Sequence, residues 1–474
     1  MKLTYKANLF DPIRDVWEKI QYKNINTFNE LNQIIQENKI ITQFNSNVNM
    51  GLFHALTQYE NMNMCLCIGK TKQESFDYYK QHLITDYSLY GIKSFTFSYT
   101  MMVKIFYQIL YFRKLHQDQD QDQDQDHEKE GKNLKNIQPH LESESYIKQY
   151  LQENFPNICE NSTTQLQVLV LVSKKTKLIV QNKFGVIHHY EGIIMPLDIN
   201  EKYMLCGIFF CDQSLKFLEK QNLTNFFSFM KSRMMFETFE CFIRKNIPIE
   251  YRHSFMVNSS SLLYLLGARE ANDVDCYIHT IPEELVSVVN RQHESGELDF
   301  LDYKIKNTEN WPCYWNKWLD IWASCCGARY FEEILAHDHY HFYFLGVKLI
   351  SLDCDIQRRL KRLRPASFAD LMMLKERFHV NITMPSIPEK ENVYRKRDNL
   401  SIDKIVDYEK RGIPYDESTS EFILEKDIDL HRFKGTINHY LRERYHYEKK
   451  NEHDFSPKKV KIRITPTKKK NETK

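Results

Sequence analysis

Asp273 and Asp275 stand two residues apart, and that spacing points to metal chemistry. Side chains of an extended segment alternate between faces, so these two carboxylates share one. Two like charges brought together are costly unless a cation sits between them. Mg²⁺ or Mn²⁺ takes such oxygen ligands, with waters and substrate phosphates completing the shell. A turn of small polar residues, Asn258 to Ser261, precedes the pair and would offer backbone N–H groups to a phosphate. Together these are the parts of a phosphoryl or nucleotidyl transfer site. Lys348, Arg358 and Arg362 could neutralise a triphosphate or a nucleic-acid backbone, the two arginines sharing a helix face at i, i+4. Against this stands the plainer role of a solvated basic helix face. His337, His339 and His341 alternate, which on a strand would turn three imidazoles to one side, as transition-metal ligands or as ordinary strand-entry residues.

Other chemistries find little support. With 13 glycines the chain has no G-x-G-x-x-G, and Gly69-Lys70-Thr71 lacks a P-loop's first glycine because Met64 stands there. None of the 11 cysteines forms a C-x-x-C pair, which argues against zinc ribbons and a full disulfide framework. No Ser/His/Asp or Cys/His arrangement can be singled out.

The elements that must hold the aspartates are written around them. Ser254 to Val257 is a short apolar strand, Leu262 to Leu266 a short helix stopped by Gly267, and Val274 to Ile278 a second strand. A helix over Glu283 to Gln292 and a strand over Leu298 to Ile305 follow. Trp311, Trp315, Trp318 and Trp322 recur at helical spacing and predict a helix to Ala328, its tryptophan face belonging to a core. Tyr340 to Leu352 is strongly β-prone and interrupted by Gly346; a basic helix, Asp355 to Arg364, comes next, and another helix ends at Arg377. Asp370 in that last helix is expected to cap or to pair with an arginine.

In this order of elements the segment resembles the nucleotidyltransferase superfamily of the polymerase-β type, whose signature is a Gly-Ser or Gly-Gly turn followed at a set interval by D-x-D or D-x-E. Here Ser259-Ser260 take the turn, twelve residues intervene, and Asp273-Val274-Asp275 follow; serine stands at Ser259 where the family carries glycine. The resemblance covers Phe226 to Phe378, about a third of the chain. It implies an α/β (α+β) fold with a polymerase-β-like core and transfer of a nucleoside monophosphate from an NTP to an acceptor such as RNA or DNA. It also implies that Asp273 and Asp275 hold two Mg²⁺ or Mn²⁺ ions, that Ser259 and Ser260 meet the nucleotide, and that a third carboxylate on the next strand activates the attacking hydroxyl. Asp302 is preferred for that role and as the third metal-ligating carboxylate, with Asp299 as substitute. Two rivals stand beside it. One keeps the fold as a catalytically inactive scaffold or nucleic-acid-binding subunit, and the serine at 259 favours it. The other is a phosphotransferase resembling the LicD and fukutin group through Leu262 to Arg269, although the Gly-Thr turn of that group is absent.

Length and charge complete the expectations. At 474 residues the chain should hold several domains, and a net charge of +2 names no partner. That total hides seven carboxylates and one lysine between Gln117 and Glu130, and eight bases after Phe455. The predicted layout is an N-terminal region at 1–115, an acidic linker at 116–140, a small β-rich region at 141–225, the nucleotidyltransferase-like core at 226–380 and a charged C-terminal region at 381–474. Strands are expected at Gln167 to Lys174, Lys177 to Asn182 and Tyr203 to Asp212, and one helix over Leu223 to Arg244. Ser94 to Phe112 is the most apolar stretch, but Lys104 near its middle argues for burial and no membrane. The lack of a signal-like start predicts reduced thiols and a cytoplasmic or nuclear address.

Overall fold

The computed structural model describes residues 33, 37, 39–41, 43–122, 143–174, 192–258, 260–279, 281–305, 334–335, 337–362, 365–382, 415–416, 421–425 and 461–465. Two compact units divide the chain, Met1–Asp355 and Ile356–Lys474. Helices and mixed sheets together make the class α+β.

The first unit opens with α1 (Ser46–Gln58), whose first turn is capped by the Asn45 side chain accepting from Val48 N–H at 2.9 Å. Four strands follow in one antiparallel sheet: β1 (Met62–Ile68), β2 (Tyr87–Ser98), β3 (Thr163–Ser173) and β4 (Ile193–Ile194), in the order β2-β3-β1-β4. The run Val168–Leu171 on β3 is fully buried, as expected of a central strand covered on both faces. Gly69-Lys70-Thr71 serves a capping box instead of a phosphate loop, with Thr71 and Glu74 exchanging hydrogen bonds at the start of the helix Lys72–Tyr78. The apolar stretch Ser94 to Phe112 is split between β2 and α2 (Tyr99–Asp122). Among the described residues no helix is long and apolar enough to cross a membrane. Lys104 is buried, its ammonium donating to Leu218 O at 2.6 Å and Glu219 O at 3.2 Å.

Several expectations change here. The acidic repeat does not start a linker at its first residue, because α2 continues to Asp122; extending a formed helix costs far less than starting one. β3, from beyond the repeat, pairs on one side with β2 and on the other with β1, so sequence on both sides of the repeat builds one sheet. Tyr203 to Asp212 is not a strand: it falls mainly in α3 (Ile199–Phe209), capped by Asp198 accepting from Glu201 N–H at 2.7 Å. That helix is buried on nearly every side, so its apolar residues show no amphipathic period to betray it. After α4 (Asp212–Lys220), the single helix expected over Leu223 to Arg244 is two, α5 (Leu223–Ser228) and α6 (Met230–Asn246), parted at Phe229. Lys177 to Asn182 and the tryptophan segment Trp311 to Ala328 lie outside the described residues. Seven described cysteines are free thiols, but Cys354 is disulfide-bonded, a departure from a wholly reduced set.

The second sheet contains β5 (Phe255–Asn258), β6 (Val274–Ile278), β7 (Leu301–Ile305), β8 (His341–Phe344) and β9 (Val347–Ile350), in the order β7-β6-β5-β9-β8. Between β5 and β6 lies α7 (Ser260–Leu265), and between β6 and β7 lies α8 (Glu283–Glu294). The hairpin β8–β9 turns on Leu345 and Gly346, both at positive φ, a conformation that suits glycine at the second position. Phe342, Leu349, Val257, Cys276 and Tyr303 are register partners in succession and form one row across the sheet. Phe217 of α4 stacks on Phe342 at 4.2 Å, and Phe226 and Phe236 pack near Phe344, so α4, α5 and α6 cover that face. One residue further along, Asn258, Asp275 and Asp302 form a row on the opposite face. The outer edge of β8 is closed by side chains, with Tyr343 N–H donating to Ser214 Oγ at 2.9 Å and Leu345 N–H to Gln108 Oε1 at 2.7 Å.

In the second unit, α9 (Leu352–Arg362), which begins just before the division, leads to α10 (Pro365–Arg377). A three-stranded sheet follows, made of Tyr415–Asp416, Glu421–Glu425 and Lys461–Thr465.

Candidate active site

Asp273 is the last residue before β6, and α7 is fastened to it. The Ser260 hydroxyl lies 3.2 Å from both Asp273 Oδ1 and the Asp273 carbonyl, and the Ser261 hydroxyl lies 3.5 Å from the same carbonyl. These bonds fix the distance between the turn after β5 and the first carboxylate. Gly267 makes the return possible. It takes φ +77°, and a Cβ there would come within 2.4 Å of Asn222 O. Asp275 then pairs across β5 with Asn258 and across β6–β7 with Asp302.

Because β6 and β7 run parallel and in register, the Asp275 and Asp302 side chains leave the same face from strands roughly 4.8 Å apart. Asp273 and Asp275 are half-buried and Asp302 is exposed, so the group has a walled side and an open one. Asp299 sits in the turn ahead of β7, exposed and three residues from Asp302, outside this register. The trio offers hard oxygen donors of the kind Mg²⁺ or Mn²⁺ takes, with an open side for phosphates, but its carboxylates are not among the ligand atoms that gather within 4.8 Å of one another in the described residues.

The basic residues fare differently. Lys348 on β9 is 3% exposed; its ammonium donates to His253 O at 3.3 Å and to Leu335 O, and burial pulls its pKa down to about 7. It presents no charge to solvent. Arg358 is buried on α9 beside Arg359, which forms an ion pair with Asp370 of α10, the arginine pairing expected of that aspartate. The side chain of Arg362, and Ser259 altogether, lie outside the described residues. Sequence inspection passed over Lys304, two residues beyond Asp302 on the same face, whose ammonium sits 5.8 Å from the Tyr277 ring centre. Its i+2 offset from Asp302 was the available signal.

The three histidines do not alternate on a strand. His337 and His339 lie in the turn before β8, whereas His341 is buried in β8 with Nδ1 3.2 Å from Ile334 O. What comes together is His337, Asp338 and His339, whose ligand atoms all lie within 4.8 Å of one another.

Comparison with protein families, curated proteins and solved structures returns no match.

Proposed function

We propose that this chain is a metal-dependent nucleotidyltransferase with a polymerase-β-like core, moving a nucleoside monophosphate from an NTP to an acceptor, with RNA or DNA the first acceptors to test. The observation that carries this is the register of Asp275 with Asp302 beside Asp273, itself anchored to the turn by Ser260. Asp273 and Asp275 would hold two Mg²⁺ or Mn²⁺ ions that clamp the attacking and leaving oxygens. Asp302, the exposed member, would take the proton from the attacking hydroxyl. Lys304 supplies a cation on this face, and Lys348 is left to the core.

One observation favours the inactive scaffold: the sealing of Lys348 removes a base expected at the triphosphate. The deciding experiment incubates full-length protein with each labelled NTP, Mg²⁺ or Mn²⁺, and RNA, DNA or protein acceptors. Label transfer lost in the Asp273→Asn, Asp275→Asn double variant supports the enzyme. Transfer that persists unchanged in that variant, or no transfer by the wild type to any acceptor, overturns it.

A further inference from the structure

We infer that His337, Asp338 and His339 form a transition-metal site, with Zn²⁺ the best fit, distinct from the aspartate trio. The two lie at opposite edges of the second sheet, the trio on β6–β7 and the histidines just ahead of β8. Four strand spacings of about 4.8 Å put those edges roughly 19 Å apart.

Asp338 carries the argument. It is 2% exposed, its Oδ1 accepts from the Ser46 hydroxyl at the start of α1, and its buried Oδ2 has no hydrogen-bond partner among the described residues. A buried carboxylate oxygen without a partner is costly, and a cation beside it removes the cost. Around Asp338 Oδ1, His337 Nδ1 stands at 3.4 Å and His339 Nδ1 at 3.8 Å. Two imidazoles and one carboxylate are a borderline donor set that binds Zn²⁺, Co²⁺ or Ni²⁺ in preference to Mg²⁺ or Ca²⁺. His337 Nδ1 now accepts from His339 N–H at 3.1 Å, a bond that metal ligation would replace. The His339 side chain is 63% exposed, so an ion enters from that side and keeps one position for water or a further ligand. Ser46 acts as the outer partner that orients the carboxylate, and the site thereby ties the turn before β8 to α1.

The test uses full-length protein freed of metal by chelation. Co²⁺ is added and its visible absorption followed, and Zn²⁺ is titrated by calorimetry. One tight equivalent that millimolar Mg²⁺ does not displace is expected. It should be lost in His339→Ala and in His337→Ala, and weakened about 10- to 100-fold in Ser46→Ala, the usual effect of losing an outer-shell partner. His339 is exposed, so its variant should keep the wild-type circular dichroism, and that control accompanies the titration. Retention of the tight equivalent in the Asp273→Asn, Asp275→Asn variant separates this site from the proposed catalytic one. No tight equivalent in the wild type, or one that survives in both histidine variants, overturns the assignment.

Discussion

Asp299 and Asp302 are three residues apart on one acidic run, and sequence periodicity says only that they cannot share a face. The parallel register decides between them, because Asp302 is the direct partner of Asp275. Asp302→Asn should therefore lower nucleotidyl transfer by about 10²- to 10⁴-fold, the range for a positioned general base, while Asp299→Asn stays near wild type. Equal losses in the two variants, measured by steady-state transfer, would remove Asp302 from the role. Lys348 makes a separate prediction about pH. Its folded pKa lies near 7, below the ordinary lysine value of 10.5, so the unfolded chain binds more protons between those limits. The Lys348 contribution to stability thus rises as pH increases from about 7 to about 10.5 and is flat below. Chemical denaturation across that window should show a shallower rise in Lys348→Met than in the wild type. His54 and His253 lie close by, but burial already holds both pKa values below the usual histidine range, so neither titrates in this window.

At the scale of elements, β5, α7, β6, α8 and β7 were legible because each is short and punctuated. The small polar turn, the Gly267 stop and the i, i+2 aspartates are local signals, and Gly267 shows how strict one can be. Gly267→Ala places a Cβ against Asn222 O in a left-handed backbone, and should cost about 1–3 kcal/mol, the usual range for a non-glycine residue held there. A urea midpoint unchanged from wild type would refute this. What the sequence hid was hidden for physical reasons. A helix such as α3, buried nearly all round, has the same apolar run as a strand, and only its Asp198 cap distinguished it. Asp338 escaped notice because alternation drew attention to His341, whereas a turn places the contiguous His337-Asp338-His339 together. Lys348 looked like a phosphate ligand because a basic residue gives no sign in sequence that its charge is spent on buried carbonyls.

At the scale of the molecule, the least legible feature was how the N-terminal strands are shared across the acidic repeat. Pairing of β2 with β3 joins residues that the chain separates by the whole of α2 and the repeat, and no local pattern encodes such a contact. The consequence is structural dependence. β3 stands between β2 and β1, and β4 borders β1, so residues 141–474 alone would carry β3 and β4 with none of their partners. Every inward hydrogen-bonding edge of β3 would then be bare, an invitation to aggregation. Residues 141–474 expressed alone should be insoluble or lack a cooperative unfolding transition, whereas co-expression with residues 1–122 should recover a soluble pair that copurifies. If residues 141–474 fold cooperatively by themselves, the first sheet does not hold the first unit together, and the acidic repeat is a true domain boundary.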